Sequence, residues 1–162
     1  MAIFIPSLIG AVMTALSSTS LLINLFVLFI LYRGGLLKPS KSNIYLLAFA
    51  NITSNCIRAA VIAFYIGPSI ILQTYIFSDG PTDIANTIVS YIENATWNVD
   101  MLISAIVAIN RVSVIVFTNS IGKLFTRNVV LTLTFMMVIL GYLITLVSFK
   151  IMPCCVEYTS LY

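Results

Sequence analysis

Ser90, Glu93, Trp97, Asp100, Ser104 and Arg111 follow one another in steps of three, four and seven. At about 100° per residue these positions fall within roughly 80° of one face of a helix. Two carboxylates, hydroxyls and a guanidinium on one face can pair with an opposite charge, hold an ion or grip a polar ligand. The Ile and Val residues between them can do none of these. An opposite charge is available in Arg58, inside an earlier apolar run. Seven residues separate Asn51 from Arg58, and seven separate Glu93 from Asp100, about 10 Å of helical rise in each case. If two antiparallel helices set Asn51 level with Asp100, Arg58 comes level with Glu93. We expect an Arg58–Glu93 ion pair and a polar cluster of Asn24, Asn51 and Asp100. Trp97, between the two acids, is placed either to line a small-molecule pocket or to serve as plain packing.

The elements carrying these residues are set by hydropathy. Of 162 residues, 60% are apolar and 8% charged, whereas a water-soluble domain carries roughly a quarter charged residues. Apolar runs of about 20 residues or more are long enough for a helix to cross roughly 30 Å of hydrocarbon. Four such runs are predicted: Pro6 to Tyr32, Asn43 to Ile66, Ile84 to Phe117 and Asn128 to Met152. The fold expected is an all-α membrane protein, one transmembrane domain over residues 1–162, with the lipid bilayer as its first partner. Helices are preferred over barrel strands because each run is long and continuous, not about ten residues of alternating pattern. The first run is not preceded by a basic residue and outlasts a typical signal-peptide core, so it is expected to remain as a span.

Short loops rich in Lys and Arg stay cytoplasmic. "YRGGLLKPSKSN" holds Arg33, Lys38 and Lys41, and "TNSIGKLFTRN" holds Lys123 and Arg127. Both loops point to an amino terminus on the outside, with Asp79, Asp83 and Glu157 gathering on that same side. Lys150 runs against the trend, near the outer end of the fourth run, where its stem can reach the interface. The stretch "SIILQTYIF" after Pro68 either extends the second helix or dips into the outer interface. The sequons at Asn51 and Asn94 fall inside predicted spans and are read as chance matches. Gly10, Thr14 and Ser18, like Gly141 and Thr145, recur every fourth residue and permit close helix approach.

Within hydrocarbon each ionisable group costs about 2.5–3.5 kcal/mol to insert, so the polar face of the third run must turn inward and find partners. The Arg58–Glu93 pair is then expected in the outer half of the membrane and the Asn24–Asn51–Asp100 cluster near its middle. These groups either hold the bundle together or form a ligand or ion site. Catalysis has little support: there is no histidine, no metal-ligand spacing, no glycine-rich phosphate loop and no nucleophile beside a base. Neither a metal, a cofactor nor a nucleic acid is expected, the eight basic residues being scattered. Cys154 and Cys155 follow Pro153 on the outer side, where a disulfide is chemically permitted. A bridge between neighbours is strained and Cys56 lies deep in the second run, so their partner is left open.

Several stretches together resemble the first four helices of a seven-helix G-protein-coupled receptor: "LLINLFVLFIL" with Asn24, "YLLAFAN" with Asn51, and "AINRV" with Asn110 and Arg111. More narrowly, the chain resembles nematode serpentine chemoreceptors, especially those of class X. That likeness rests on "FYIGP" after the second helix, "INRV" ending the third, "GKLFT" before the fourth and "CCVEY" after it. It covers roughly Leu22 to Tyr158. The resemblance implies a small-molecule ligand outside and a heterotrimeric G protein inside, with Arg111 and Asn110 facing the G protein. It also makes Cys154 or Cys155 the outer-loop cysteine. Val112 stands where an aromatic is usual, "VFTNSIGKLF" lacks the proline-x-x-tyrosine of the second inner loop, and no cysteine lies near Asn86. On this likeness the chain is expected to be a fragment, a truncated gene model or a degenerate copy that does not signal alone. The rivals are a free-standing four-helix membrane adaptor or assembly subunit, and an ion-conducting oligomer lined by Glu93 and Asp100.

Overall fold

A computed structural model describes residues 4–38, 42–76, 83–116 and 126–151. Their regular elements are all helices, joined by turns, with no strand among the described residues. α1 spans Phe4–Arg33, α2 Ile44–Val61, α4 Ile84–Val116 and α5 Arg127–Ile151; a π turn at Ile62–Ile66 joins α2 to the short α3, Gly67–Leu72. Three helical stretches are long and apolar enough to cross a membrane: Ile5–Arg33, Ile44–Leu72 and Arg127–Phe149, with mean hydropathy 2.0, 1.6 and 2.4. α4 is longer than any of them but is diluted by its polar residues, and it is not among the three.

The ambiguous stretch after Pro68 is resolved as helix as far as Leu72. Proline has no N–H to donate, and its ring collides with the carbonyl four residues back. The wider π turn stands directly before Gly67 and Pro68, where that collision falls. Gln73, at φ 52°, then ends α3 in the left-handed conformation. α1 ends by a parallel device, since Gly35 adopts φ 63° and the amides of Gly34 and Leu36 return to the carbonyls of Ile30 and Leu31.

Neighbouring long helices run antiparallel. Between α2 and α4, Ser54 meets Thr96, Arg58 meets Glu93 and Tyr65 meets Asn86, so numbers rise on one helix as they fall on the other. Small residues set the spacing. A Cβ placed on Gly10 would stand 2.9 Å from the Gly67 carbonyl oxygen and the Ile71 amide, and one on Gly141 2.9 Å from the Val99 amide. Thr14 packs onto Gly67 in the same α1–α3 seam. α1 therefore lies against α3, and α5 against α4, almost backbone to backbone.

At the opposite end Leu47, Ile106 and Val130 form a buried cluster that joins α2, α4 and α5. There the Arg127 guanidinium donates to the Leu37 carbonyl at 2.9 Å, which brings the start of α5 to the α1–α2 turn. Arg33, Lys38 and Arg127 thus share one end of the bundle. Arg127→Ala is expected to lower stability by about 1 kcal/mol through loss of this charge-assisted bond, read as a lower thermal midpoint in detergent. A midpoint equal to that of the unmutated protein would show the bond to be idle.

Candidate functional site

The charged residues expected to meet do lie together in the α2–α4 seam. Arg58 Nε is 3.6 Å from Glu93 Oε1, with side-chain exposures of 34% and 9%. That is an ion pair without a hydrogen bond, since 3.6 Å exceeds the N–H···O range. The guanidinium carbon lies 5.5 Å from the centre of the Trp97 ring, within the distance at which a cation is attracted to an aromatic face. Glu93 and Trp97 are four residues apart on α4, so one helical face presents both the countercharge and the ring.

One turn further in, the arrangement departs from the expected cluster. Asp100 accepts from Asn55 Nδ2 at 3.4 Å, not from Asn51, whose Oδ1 is buried without a hydrogen-bond partner. Asn24 donates to Ser20 Oγ within its own helix at 3.3 Å. The structure therefore does not join Asn24, Asn51 and Asp100. Asn55 stands one turn above Asn51 on the same face of α2 and reaches Asp100 along the diagonal between the helices. Level counting along the axes does not detect such a diagonal. Asn55 was missed for that reason, although its four-residue spacing from Asn51 was visible.

The polar face of α4 is also split. Its buried side carries Asn86, Ser90, Glu93, Thr96, Val99, Ile103, Ile106 and Asn110, while Trp97 is 45% exposed and Ser104 and Arg111 are exposed. Over the inner half the buried line runs about one residue before the expected one. Val99 against Gly141 and Ile106 against Leu47 and Val130 are the reason: apolar packing in those seams decides which side of α4 faces inward. Asn110 is buried and Arg111 exposed at the end shared with the basic turns. Cys154 and Cys155 lie outside the described residues, and Cys56 is a buried free thiol. Among the described residues no group of three or more His, Cys, Asp or Glu is placed to hold a metal.

Two clefts flank the seam. One, of about 290 Å³ between α1 and α2, is lined by Leu16, Ser17, Ser20, Asn55, Arg58, Ala59 and Ile62. The other, of about 270 Å³ between α4 and α5, is lined by Asn94, Trp97, Asn98, Thr145, Ser148 and Phe149. In the second, Asn98 Nδ2 donates to Thr145 Oγ1 at 2.9 Å, and Thr145 donates to the Gly141 carbonyl at 2.9 Å. The ion pair and the ring on Arg58 thus lie between two small, partly polar clefts, a size and lining suited to a small ligand and not to a macromolecule.

Long apolar helices enclosing paired charges define a multi-pass membrane protein. The model of the serpentine-type 7TM GPCR chemoreceptor family Srx matches residues 15–162, and the chain belongs to that family. Neither a curated protein nor a solved structure matches it significantly.

Proposed function

We propose that the chain is the α1-to-α5 part of a chemosensory receptor that takes up a small molecule at the Arg58–Glu93–Trp97 seam and passes the signal to a heterotrimeric G protein. The observation that carries the reading is that seam. An intramembrane arginine with a carboxylate at 3.6 Å and a ring at 5.5 Å is costly to keep in hydrocarbon, and such groups mark ligand and ion paths. Within this reading α4 crosses the membrane beside the three apolar helices. The end with Arg33, Lys38, Arg111 and Arg127 faces the cytosol, in accord with the excess of Lys and Arg on that side, and the amino terminus faces outward at the plasma membrane. Asn110 and Arg111 then stand where a cytosolic partner reaches them. The described residues provide four long helices, and the family is described by seven. Signalling is assigned to a seven-helix gene product, with these four contributing the ligand seam and one G-protein contact.

The test uses the whole gene product in sealed membrane vesicles, with added G protein and a mixture of small volatile alcohols, aldehydes, esters and amines. Nucleotide loading is expected to rise several-fold in inside-out vesicles and not in right-side-out ones, and Arg111→Ala is expected to remove the rise. Loading no greater than in vesicles without the protein would defeat the reading, and loading confined to right-side-out vesicles would invert the orientation.

A further inference from the structure

Arg58 has a charge partner but no hydrogen-bond partner among the described residues. Its Nε is buried and unbonded, and the Glu93 oxygen at 3.6 Å is too distant to accept. A guanidinium carries five N–H donors and no acceptor, and in a water-poor setting unbonded donors are costly. The group also forms part of the wall of the α1–α2 cleft of about 290 Å³, beside Ser17, Ser20 and Asn55. Asn55 donates through Nδ2 to Asp100 and Ser20 Oγ accepts from Asn24. Ser20 keeps its own O–H and Asn55 its second amide N–H, so the Arg58 guanidinium is the charged donor in a wall that also offers the Ser17, Ser20 and Asn55 donors to whatever enters. The rest of the wall is apolar, from Leu16, Ala59 and Ile62, and Leu16 is 67% exposed on the outer side of α1. A lipophilic molecule can thus reach the cleft from the acyl-chain region.

The charge balance selects the ligand class. Among the described residues, Arg58 is the cation seen beside two acids, Glu93 at 3.6 Å and Asp100, which Asn55 links to the same wall. A ligand carboxylate would come as a third carboxyl group beside Glu93 and Asp100 in a low-dielectric seam, where like charges repel strongly. A ligand ammonium would meet the guanidinium first. A neutral oxygen with two lone pairs, on a short apolar body, satisfies the donors and leaves the charge unchanged. We infer that the α1–α2 cleft binds a small neutral carbonyl compound, a ketone or ester of medium chain length, with its oxygen on the Arg58 guanidinium and its alkyl chain along Leu16 and Ile62. This rests on the chemoreceptor reading for its purpose but not for its test.

Trp97 is the only tryptophan of the chain, lies 5.5 Å from Arg58 and also lines the α4–α5 cleft, so its emission reports on both sides of the seam and the Ser17→Val variant assigns the response to the α1–α2 cleft. The purified protein in lipid nanodiscs is titrated with octan-2-one, octane and octanoate. Octan-2-one is expected to shift the emission saturably. Octane should give only a linear partition drift, and octanoate should bind more weakly than the ketone. Arg58→Lys keeps the charge but loses the planar fork, and it should weaken ketone binding about tenfold, roughly one hydrogen bond's worth. Ser17→Val, which leaves the ion pair intact, should weaken it severalfold and provides the answer if the lysine variant does not fold. Ketone affinity unchanged in both variants, or matched by octane, overturns the inference. Octanoate binding more tightly than the ketone, and depending on Arg58, overturns the ligand class while leaving the seam as a receptor site. No saturable response to any of the three in the unmutated protein overturns the inference, while the receptor reading stands or falls by the nucleotide-loading experiment.

Discussion

Arg58→Glu is expected to remove nearly all folded protein, and adding Glu93→Arg to it is expected to restore most of what is lost. The single change sets a third carboxylate beside Glu93 and Asp100 in place of the guanidinium that faces Glu93. Breaking a buried pair from one side costs about 3–5 kcal/mol, and a charge at membrane depth about 2.5–3.5 kcal/mol. Because the Arg58 side chain is 34% exposed, the lower end applies, and about 3 kcal/mol corresponds to roughly a hundredfold fall in the folded-to-unfolded ratio. Exchanging the charges reinstates one cation against two acids. It also keeps an arginine near the ring, since positions 93 and 97 lie one turn apart on α4. Monodisperse protein extracted from membranes, measured by size-exclusion with a fluorescent tag, reads the effect. A double variant as poor as either single one would show that the two side chains do not act as a pair.

That the exchange could be designed from level counting alone shows what was legible in the sequence. Long apolar runs with few charges leave helices as the only economical backbone in lipid. The α2–α4 register was legible because the charges are so few that seven-residue spacings on both helices leave few alternatives. The extension of the second helix through Pro68 was open in the sequence. It was closed by a π turn, a one-residue widening that no hydropathy pattern encodes. The diagonal from Asn55 to Asp100 depends on side-chain reach, and the inward side of α4 depends on where Val99 and Ile106 find room. Both are properties of seams between helices, decided by shape complementarity and not by the period of any single helix.

The two kinds of feature divide the work between stability and recognition. Glycines at 10, 67 and 141 bring backbones together at the flanks, α1 on α3 and α5 on α4. The polar seam between α2 and α4 is held less tightly, by a 3.6 Å ion pair and a 3.4 Å Asn55–Asp100 bond at the long end of the hydrogen-bond range. A bundle rigid at its flanks and loosely bonded at its centre can rearrange the central polar groups around a ligand without separating its helices. On the proposed reading, a ligand at the seam acts on α2 and α4. α4 also carries Asn110 and Arg111 at its far end, so a small rotation of this one helix reaches both places.

If the flanks supply the rigidity, Gly141→Val should be among the most damaging substitutions that touch no charge. The first added carbon would stand 2.5 Å from Val99 Cγ2 and 2.9 Å from the Val99 amide nitrogen, so α5 must move away from α4. Overpacking of this kind costs about 1–3 kcal/mol. The displacement also strains the 2.9 Å bond from Asn98 to Thr145 one turn away, which adds about 0.6 kcal/mol or more by membrane-bundle measurements. A total near 3 kcal/mol should lower the thermal midpoint in detergent by many degrees and expose Asn98 to water-borne exchange. Val99→Ala in the same chain removes the clash with the side chain but not that with the backbone amide. It should recover only part of the loss, whereas full recovery would mean that side chains, and not backbone approach, set the α4–α5 distance. Ligand binding read from Trp97 sharpens the test, because that ring lies between the α4–α5 cleft and Arg58: the variant should weaken the response even where protein remains folded.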